Sequence, residues 1–78
     1  MNCDMARMSE SIRTEMRVAM ARRNVSMKQL HEHLGMSATA LHRRMTGVTA
    51  WDVDELASAA ALLGVDVVDF FAAERAAS

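Results

Sequence analysis

The side chains best suited to chemistry in this sequence are basic, and they are unevenly distributed along the chain. Residues 1–50 contain eight Lys or Arg against four acids, whereas residues 51–78 contain one Arg against six acids. These parts carry formal charges of +4 and −5, although the whole chain carries only −1. A molecule polarised in this way can present a basic face to a polyanion such as DNA. The alternative is that these charges belong to ordinary solvated helix faces.

Metal-binding and catalytic motifs are missing from the sequence. The soft ligands are Cys3, His31, His33 and His42. Because His31 and His33 are two residues apart, on a helix they point to different sides, unlike the i, i+4 pair of a zinc site. No glycine-rich phosphate loop or nucleophile motif occurs, and a chain this short lacks the walls of a deep pocket. We therefore expect no enzymatic activity, metal, cofactor or small-molecule substrate.

The composition favours a single all-α domain. The 78 residues are 51% hydrophobic but only 4% aromatic and include no proline, which favours short helices over strands. The single Cys cannot form an internal disulfide, and the sequence shows neither a secretory leader nor an apolar run of about 20 residues. We therefore expect a cytoplasmic protein that makes no membrane contact.

Capping motifs predict where helices begin and end. Two residues with capping side chains are followed three residues later by Gln or Glu, as in a capping box: Ser26 with Gln29, and Asp52 with Glu55. Ser37 and Asp66 repeat the cap alone. Gly35, Gly47 and Gly64 can adopt the left-handed conformation that closes a helix. Trp51, directly before the Asp52 cap, is expected to be a packing staple and not a stacking platform.

The first helix is predicted from its period, because its apolar residues recur on one face. The signals together predict five helices, at about 10–23, 27–34, 38–46, 53–63 and 67–74. The domain would span residues 9–75, between a flexible N-terminal arm (1–8) and a short tail (76–78). The predicted core consists of Ile12, Met16, Met20, Leu30, Leu34, Leu41, Leu56, Ala60, Leu63, Val67 and Phe70.

The second and third predicted helices are joined by a tight turn, Gly35–Ser37, which is the pattern of a DNA-reading helix-turn-helix. The stretch SMKQLHEHLGMSATALHRRMTG, residues 26–47, resembles the Cro and phage-repressor type of helix-turn-helix domain, also called the xenobiotic-response-element family. Residues 51–71, WDVDELASAAALLGVDVVDFF, resemble its fourth and fifth helices. The resemblance covers about residues 12–71 and implies a compact, five-helix, lambda-repressor-like DNA-binding domain.

Two positions depart from the family pattern. His31 stands where a small alanine usually lets the two helices approach closely, and Arg44 stands where an aliphatic residue usually packs inward. Met45, four residues after Leu41, could take over that inward contact while the stem of Arg44 lies along the surface. The third helix would then be slightly rotated relative to the family pattern.

If Leu41 and Met45 face inward, the third helix directs its other side chains to the major groove: Ala38, Thr39, His42, Arg43 and Thr46. Arg43 is best able to specify a base, because its planar guanidinium matches the O6 and N7 acceptors of guanine. The family resemblance implies the same division, with the start of this helix and the next turn reading bases.

A second set of side chains is expected to hold phosphates, assisted by backbone N–H groups at the start of the second helix: Ser26, Lys28, Ser37, Arg44, and Arg22 or Arg23. Family members often carry further basic residues in the loop after the third helix, but Val48–Trp51 contains none. Fewer phosphate contacts predict weaker binding that is less sensitive to salt.

The predicted function is a sequence-specific transcriptional regulator, phage Cro-like or repressor-like, that binds a double-stranded DNA operator as a homodimer. Phe71 points about 100° away from Phe70 on a helix, so its ring is a candidate dimer contact; burial of both rings in the monomer is the alternative. The alternative function is a protein-interaction module of the same fold, such as an antitoxin or a phage factor acting on host machinery. The acidic residues between 52 and 74 favour that alternative.

Overall fold

The computed structural model describes the backbone of residues 3–70 and the side chains of residues 10–70. These residues form four α-helices and no strand: α1 (Cys3–Arg23), α2 (Met27–Leu34), α3 (Ala38–Thr46) and α4 (Val53–Leu63). The predicted all-α class is confirmed, and α2, α3 and α4 have the predicted bounds. Within this part of the chain, no helix is both long and apolar enough to cross a membrane.

The bounds of the middle helices follow from their caps. The Ser26 hydroxyl accepts from Gln29 N at 3.1 Å, and the Gln29 side chain accepts from Ser26 N at 2.8 Å, which completes a capping box. The helices end at glycines in the left-handed region, with φ of +69° at Gly35, +90° at Gly47 and +70° at Gly64. Each motif involves residues at most a few positions apart, so sequence alone locates the helix ends.

The first helix begins earlier than predicted. It starts at Cys3 and not near residue 10, so residues 3–8, which the sequence analysis assigned to a flexible arm, are helical. The sequence between Cys3 and Ser11 contains Ala, Arg, Met and Glu, which favour helix, and neither Gly nor Pro. Ser9 and Ser11 therefore lie inside α1 and not at its start.

The prediction of five helices is not supported, because the described residues contain four. The start of the predicted fifth helix is present as a turn at Val67 and Val68 that leads into helical backbone at 69–70. Asp69 N donates to Asp66 O at 2.9 Å, and Phe70 N donates to Val67 O at 3.1 Å. The Asp66 carboxylate also accepts from Val68 N at 3.1 Å, as a cap does. The rest of the predicted helix, residues 71–74, lies outside the described residues.

The core lies where α1, α2, α3 and α4 meet. Nine of the eleven predicted core residues are buried, and Leu34 and Val67 pack on the core while remaining partly exposed. Ala19, Met45 and Ala59 are buried in addition. Trp51 packs against the edge of this core, which confirms its expected role as a staple. Burial of each large aliphatic side chain stabilises the fold by about 1.5–3 kcal/mol. The short helices depend on this burial, because isolated helices of their length are marginal in water.

Candidate nucleic-acid interface

The turn between α2 and α3 holds the two helices of the motif in place. Gly35 closes α2, and Ser37 caps α3 by accepting from Ala40 N at 3.0 Å. His31, the first departure from the family pattern, is half-buried beside this turn, where its Nδ1 lies 3.0 Å from Met36 O. Since a carbonyl oxygen can only accept, Nδ1 carries a proton and donates. The imidazole therefore donates to the turn a hydrogen bond that an alanine side chain could not form.

The inward face of α3 is formed by Leu41 and Met45. Leu41 is fully buried and Met45 is 5% exposed. The hypothesis that Met45 takes over the inward contact is therefore confirmed. Because these residues lie four positions apart, they form one stripe along the helix, and the residues between and beside them must face elsewhere.

All five side chains predicted to read bases are exposed on α3: Ala38, Thr39, His42, Arg43 and Thr46. The Thr46 hydroxyl donates to His42 O at 2.9 Å, so its O–H donor is used within α3. The side chain of Arg43 forms no hydrogen bond or ion pair with any described residue. Its five N–H donors are thus available to a ligand.

Arg44, which was predicted to hold a phosphate, is engaged inside the protein. Its Nε and Nη2 donate to the two carboxylate oxygens of Glu55 at 2.8 and 2.9 Å, and its Nη1 donates to Ala40 O at 3.0 Å. The hydrogen bond with Glu55 raises the pKa of Arg44, and the same bond lowers the pKa of the Glu55 carboxyl. A partly buried position beside the acidic start of α4 explains why this guanidinium pairs internally and does not face solvent.

The remaining residues predicted to hold phosphates fall into two places. Ser26, Lys28 and Ser37 are exposed at the starts of α2 and α3. Arg22 and Arg23 lie at the end of α1 in a depression that contains no residue of α3. The Arg23 guanidinium lies so close to Gly64 that a Cβ there would be 2.8 Å from its Nη2. A cation is favourable at this site because it faces the C-terminal end of α4.

A family model of the Cro/C1-type HTH DNA-binding domain matches residues 15–75, which include all of α2, α3 and α4. This chain belongs to that family. Comparisons with curated proteins and with solved structures find no match for it. Membership of the Cro/C1-type family makes α2 and α3 the helix-turn-helix pair and indicates binding of double-stranded DNA.

Sequence reasoning missed two arginines of α1, Arg17 and Arg13, which lie beside the end of α3 in this Cro/C1-type domain. A shallow depression is lined by Arg17, Met20, Met27, His42, Met45 and Thr46. Arg17 Nη2 donates to Met45 O at 3.0 Å, and the exposed Met27 lies at the start of α2. Arg13, one turn before Arg17, lies against Gly47. The i, i+4 spacing of these arginines beside the core residues Ile12 and Met16 is the signal that could have located them.

Proposed function

We propose that this protein is a sequence-specific transcriptional regulator that reads the major groove of double-stranded DNA with α3. The observation that carries the proposal is the solvent-exposed face of α3, with a free guanidinium at Arg43 opposite the buried Leu41 and Met45. A bidentate contact from Arg43 to guanine discriminates against other bases by about 1–3 kcal/mol. Thr39 and Ala38 suit the methyl group of thymine, since both are small and partly apolar.

The proposed phosphate contacts differ from those expected from the sequence. Ser26, Lys28 and Ser37 stay in the set, because they are exposed beside the N-terminal amides of α2 and α3, where anions bind favourably. Arg17 joins it, because it shares a depression with His42 and Thr46. Arg44 is left out because its guanidinium is paired with Glu55. Arg23 is left out because its guanidinium lies against Gly64, and Arg22 is left out because it lines the same depression as Arg23.

Arg17 also compensates for the loop after α3, which carries no basic residue. Arg17 lies on α1, 28 positions before Met45 in the chain, and donates to the Met45 carbonyl. It therefore supplies positive charge at the end of α3. Each phosphate neutralised in this way releases condensed counterions and adds to the salt dependence of binding.

The proposed biological unit is a homodimer on two half-sites about one helical turn apart, because one subunit of this size covers too little DNA for tight specific binding. The nearest functional type is a phage Cro-like or repressor-like regulator acting in the bacterial cytoplasm. Phe71, the predicted dimer contact, lies outside the described residues.

The experiment that tests this proposal is binding of the full chain to duplex DNA. We expect the protein to enrich a preferred duplex from a random pool and to shift a fluorescent duplex from its own upstream region. We expect its affinity to fall as salt rises from about 50 to 200 mM, in proportion to the number of phosphates contacted. Absence of DNA binding at low salt would exclude the proposal.

One observation favours a protein-interaction module instead. Val48 and Val53 are 75% and 70% exposed on the loop after α3 and at the start of α4, beside the acids Asp52 and Asp54. A DNA backbone would be repelled by these acids, whereas a basic, partly apolar protein surface would match them. If the protein has this function, Val53→Ser should weaken binding of the protein partner, and the wild-type protein should not shift a fluorescent DNA duplex.

A further inference from the structure

The ion pair between Arg44 and Glu55 connects α3 to α4 through directional hydrogen bonds. Both carboxylate oxygens of Glu55 accept from Arg44, whose third nitrogen donates to Ala40 O in the preceding turn of α3. The side chains are only 18% and 19% exposed. A bidentate pair of this kind defines orientation as well as distance, because two parallel bonds must be satisfied together.

Glu55 also fixes the start of α4. Its Oε1 accepts from Asp52 N at 3.2 Å, while Asp52 accepts from Glu55 N at 2.8 Å. One carboxylate thus completes the capping box of α4 and pairs with Arg44 in the last turn of α3. Movement of α3 relative to α4 would break bonds at both places, since the same oxygen accepts from Arg44 and from Asp52.

The other inward side chains of α3 are apolar, although Arg17 Nη2 also donates to the backbone oxygen of Met45 at 3.0 Å. Leu41 and Met45 bury surface, but hydrophobic contact is non-directional, and methionine adapts to irregular gaps. Apolar contacts fix the rotation of the nine-residue helix less tightly than a bidentate ion pair does. Arg43 is next to Arg44 and about 100° around the helix, so a rotation of α3 redirects its guanidinium away from the bases.

We propose that Glu55 is a positioning residue for base readout, which acts through Arg44 to set the rotation of α3 and hence the direction of Arg43. This inference rests on the proposed function, since it concerns the same reading face. It assigns a role in DNA recognition to an acidic side chain that would by charge alone oppose binding. It also gives Arg44 a role different from the phosphate contact expected from the sequence.

Charge and positioning predict opposite effects when Glu55 is neutralised. Removal of a negative charge near the interface should strengthen binding to any duplex through electrostatics. Loss of a positioning contact should instead weaken binding to the preferred duplex relative to other sequences. The decisive quantity is the ratio of affinities for a preferred and a scrambled duplex of equal length.

The test uses Glu55→Gln in the full chain, with Asp54→Asn as the matched control. Asp54 is exposed on the same helix, and its substitution removes the same charge. Gln can still complete the capping box, as Gln29 does in α2. The preferred duplex is the one that the wild-type protein enriches from a random pool. We expect Glu55→Gln to lower the affinity ratio by about tenfold and Asp54→Asn to leave it unchanged.

Arg44→Lys gives a second test that leaves the net charge unchanged. Lysine keeps the positive charge but lacks the planar group needed for the bidentate pair, so we expect a similar fall in the ratio. If Glu55→Gln alters folding, as judged by circular dichroism, this variant decides the outcome.

Two results would overturn the inference. One is an unchanged affinity ratio in both Glu55→Gln and Arg44→Lys. The other is a rise in affinity for both duplexes in Glu55→Gln with a salt dependence steeper by about one phosphate, since that would mean that freed Arg44 binds the backbone. Failure of the proposed function itself is distinguishable, because the wild-type protein would then enrich no sequence.

Discussion

Arg43 and Arg44 are neighbours of the same type on one short helix, yet their surroundings differ completely. Arg43 projects from the exposed face of α3, whereas Arg44 is half-buried and bonded to Glu55 and Ala40. The two faces of the helix therefore use the same side chain for different purposes. On the exposed face its donors remain available to a ligand, and on the inward face they are satisfied by the protein itself.

Residue type alone therefore does not assign a basic side chain to DNA. A rotation of about 100° between successive residues separates a free cation from one that stabilises the fold. Each of the following predictions compares the two faces or the two ends of α3.

The largest effect is expected for the buried stripe. Leu41→Ala should lower the free energy of unfolding by about 2–5 kcal/mol, because Leu41 is fully buried and its removal leaves a cavity. Thr39→Ala, on the exposed face two residues earlier, should change it by less than about 0.5 kcal/mol. Urea denaturation measures both values. Equal losses in the two variants would contradict the division of α3 into two faces.

Arg43→Ala should reduce discrimination at one base pair by about 1–3 kcal/mol while leaving the free energy of unfolding nearly unchanged. Lys28→Ala is the matched control, because it should weaken binding to all sequences alike and reduce the salt dependence by about one phosphate. Competition binding with single-base variants of the preferred duplex separates the two. An unchanged base preference in Arg43→Ala would show that α3 does not read the groove through this residue.

The two ends of α3 should differ in their tolerance of a side chain. Gly35 and Gly47 both have positive φ, so Ala costs about 1–2 kcal/mol of backbone strain at either position. At Gly47 the new Cβ would also lie 2.7 Å from Arg13 Nη1, whereas at Gly35 it would meet nothing within 4 Å. Gly47→Ala should therefore destabilise the protein more than Gly35→Ala in thermal denaturation. Equal losses would mean that the Arg13 guanidinium moves aside without cost, and the reverse order would contradict the prediction.

The smallest effect concerns the acid dependence of the inward face. Arg44 lowers the pKa of Glu55 below its ordinary value of 4.5, so the pair stabilises the fold above that pH, and this contribution is lost as the pH falls through the lowered pKa. Wild type should exceed Glu55→Gln in stability by about 0.5–1 kcal/mol at pH 7. The difference should vanish in strong acid. Urea denaturation at both pH values measures it, and a difference that is independent of pH would contradict the ion pair.

Local signals were sufficient for most of the fold. The bounds of α2, α3 and α4, the buried stripe of Leu41 and Met45, and the exposure of Arg43 were predicted from the sequence because caps, glycine closures and helical periods involve residues a few positions apart. The start of α1 was not predicted, since good helix formers continue N-terminal to Ser9 with no signal that ends them.

The partners of the basic side chains depended on how the helices meet in space. Arg44 reaches Glu55 across 11 positions, Arg17 reaches Met45 across 28, and Arg23 lies against Gly64 at the end of another helix. Local periodicity states which face of a helix is polar, but not which helix end or carboxylate faces it after folding. Those contacts are set by how the four helices pack together, and so only the folded chain shows that the guanidinium groups of Arg44 and Arg23 lie against other parts of the protein.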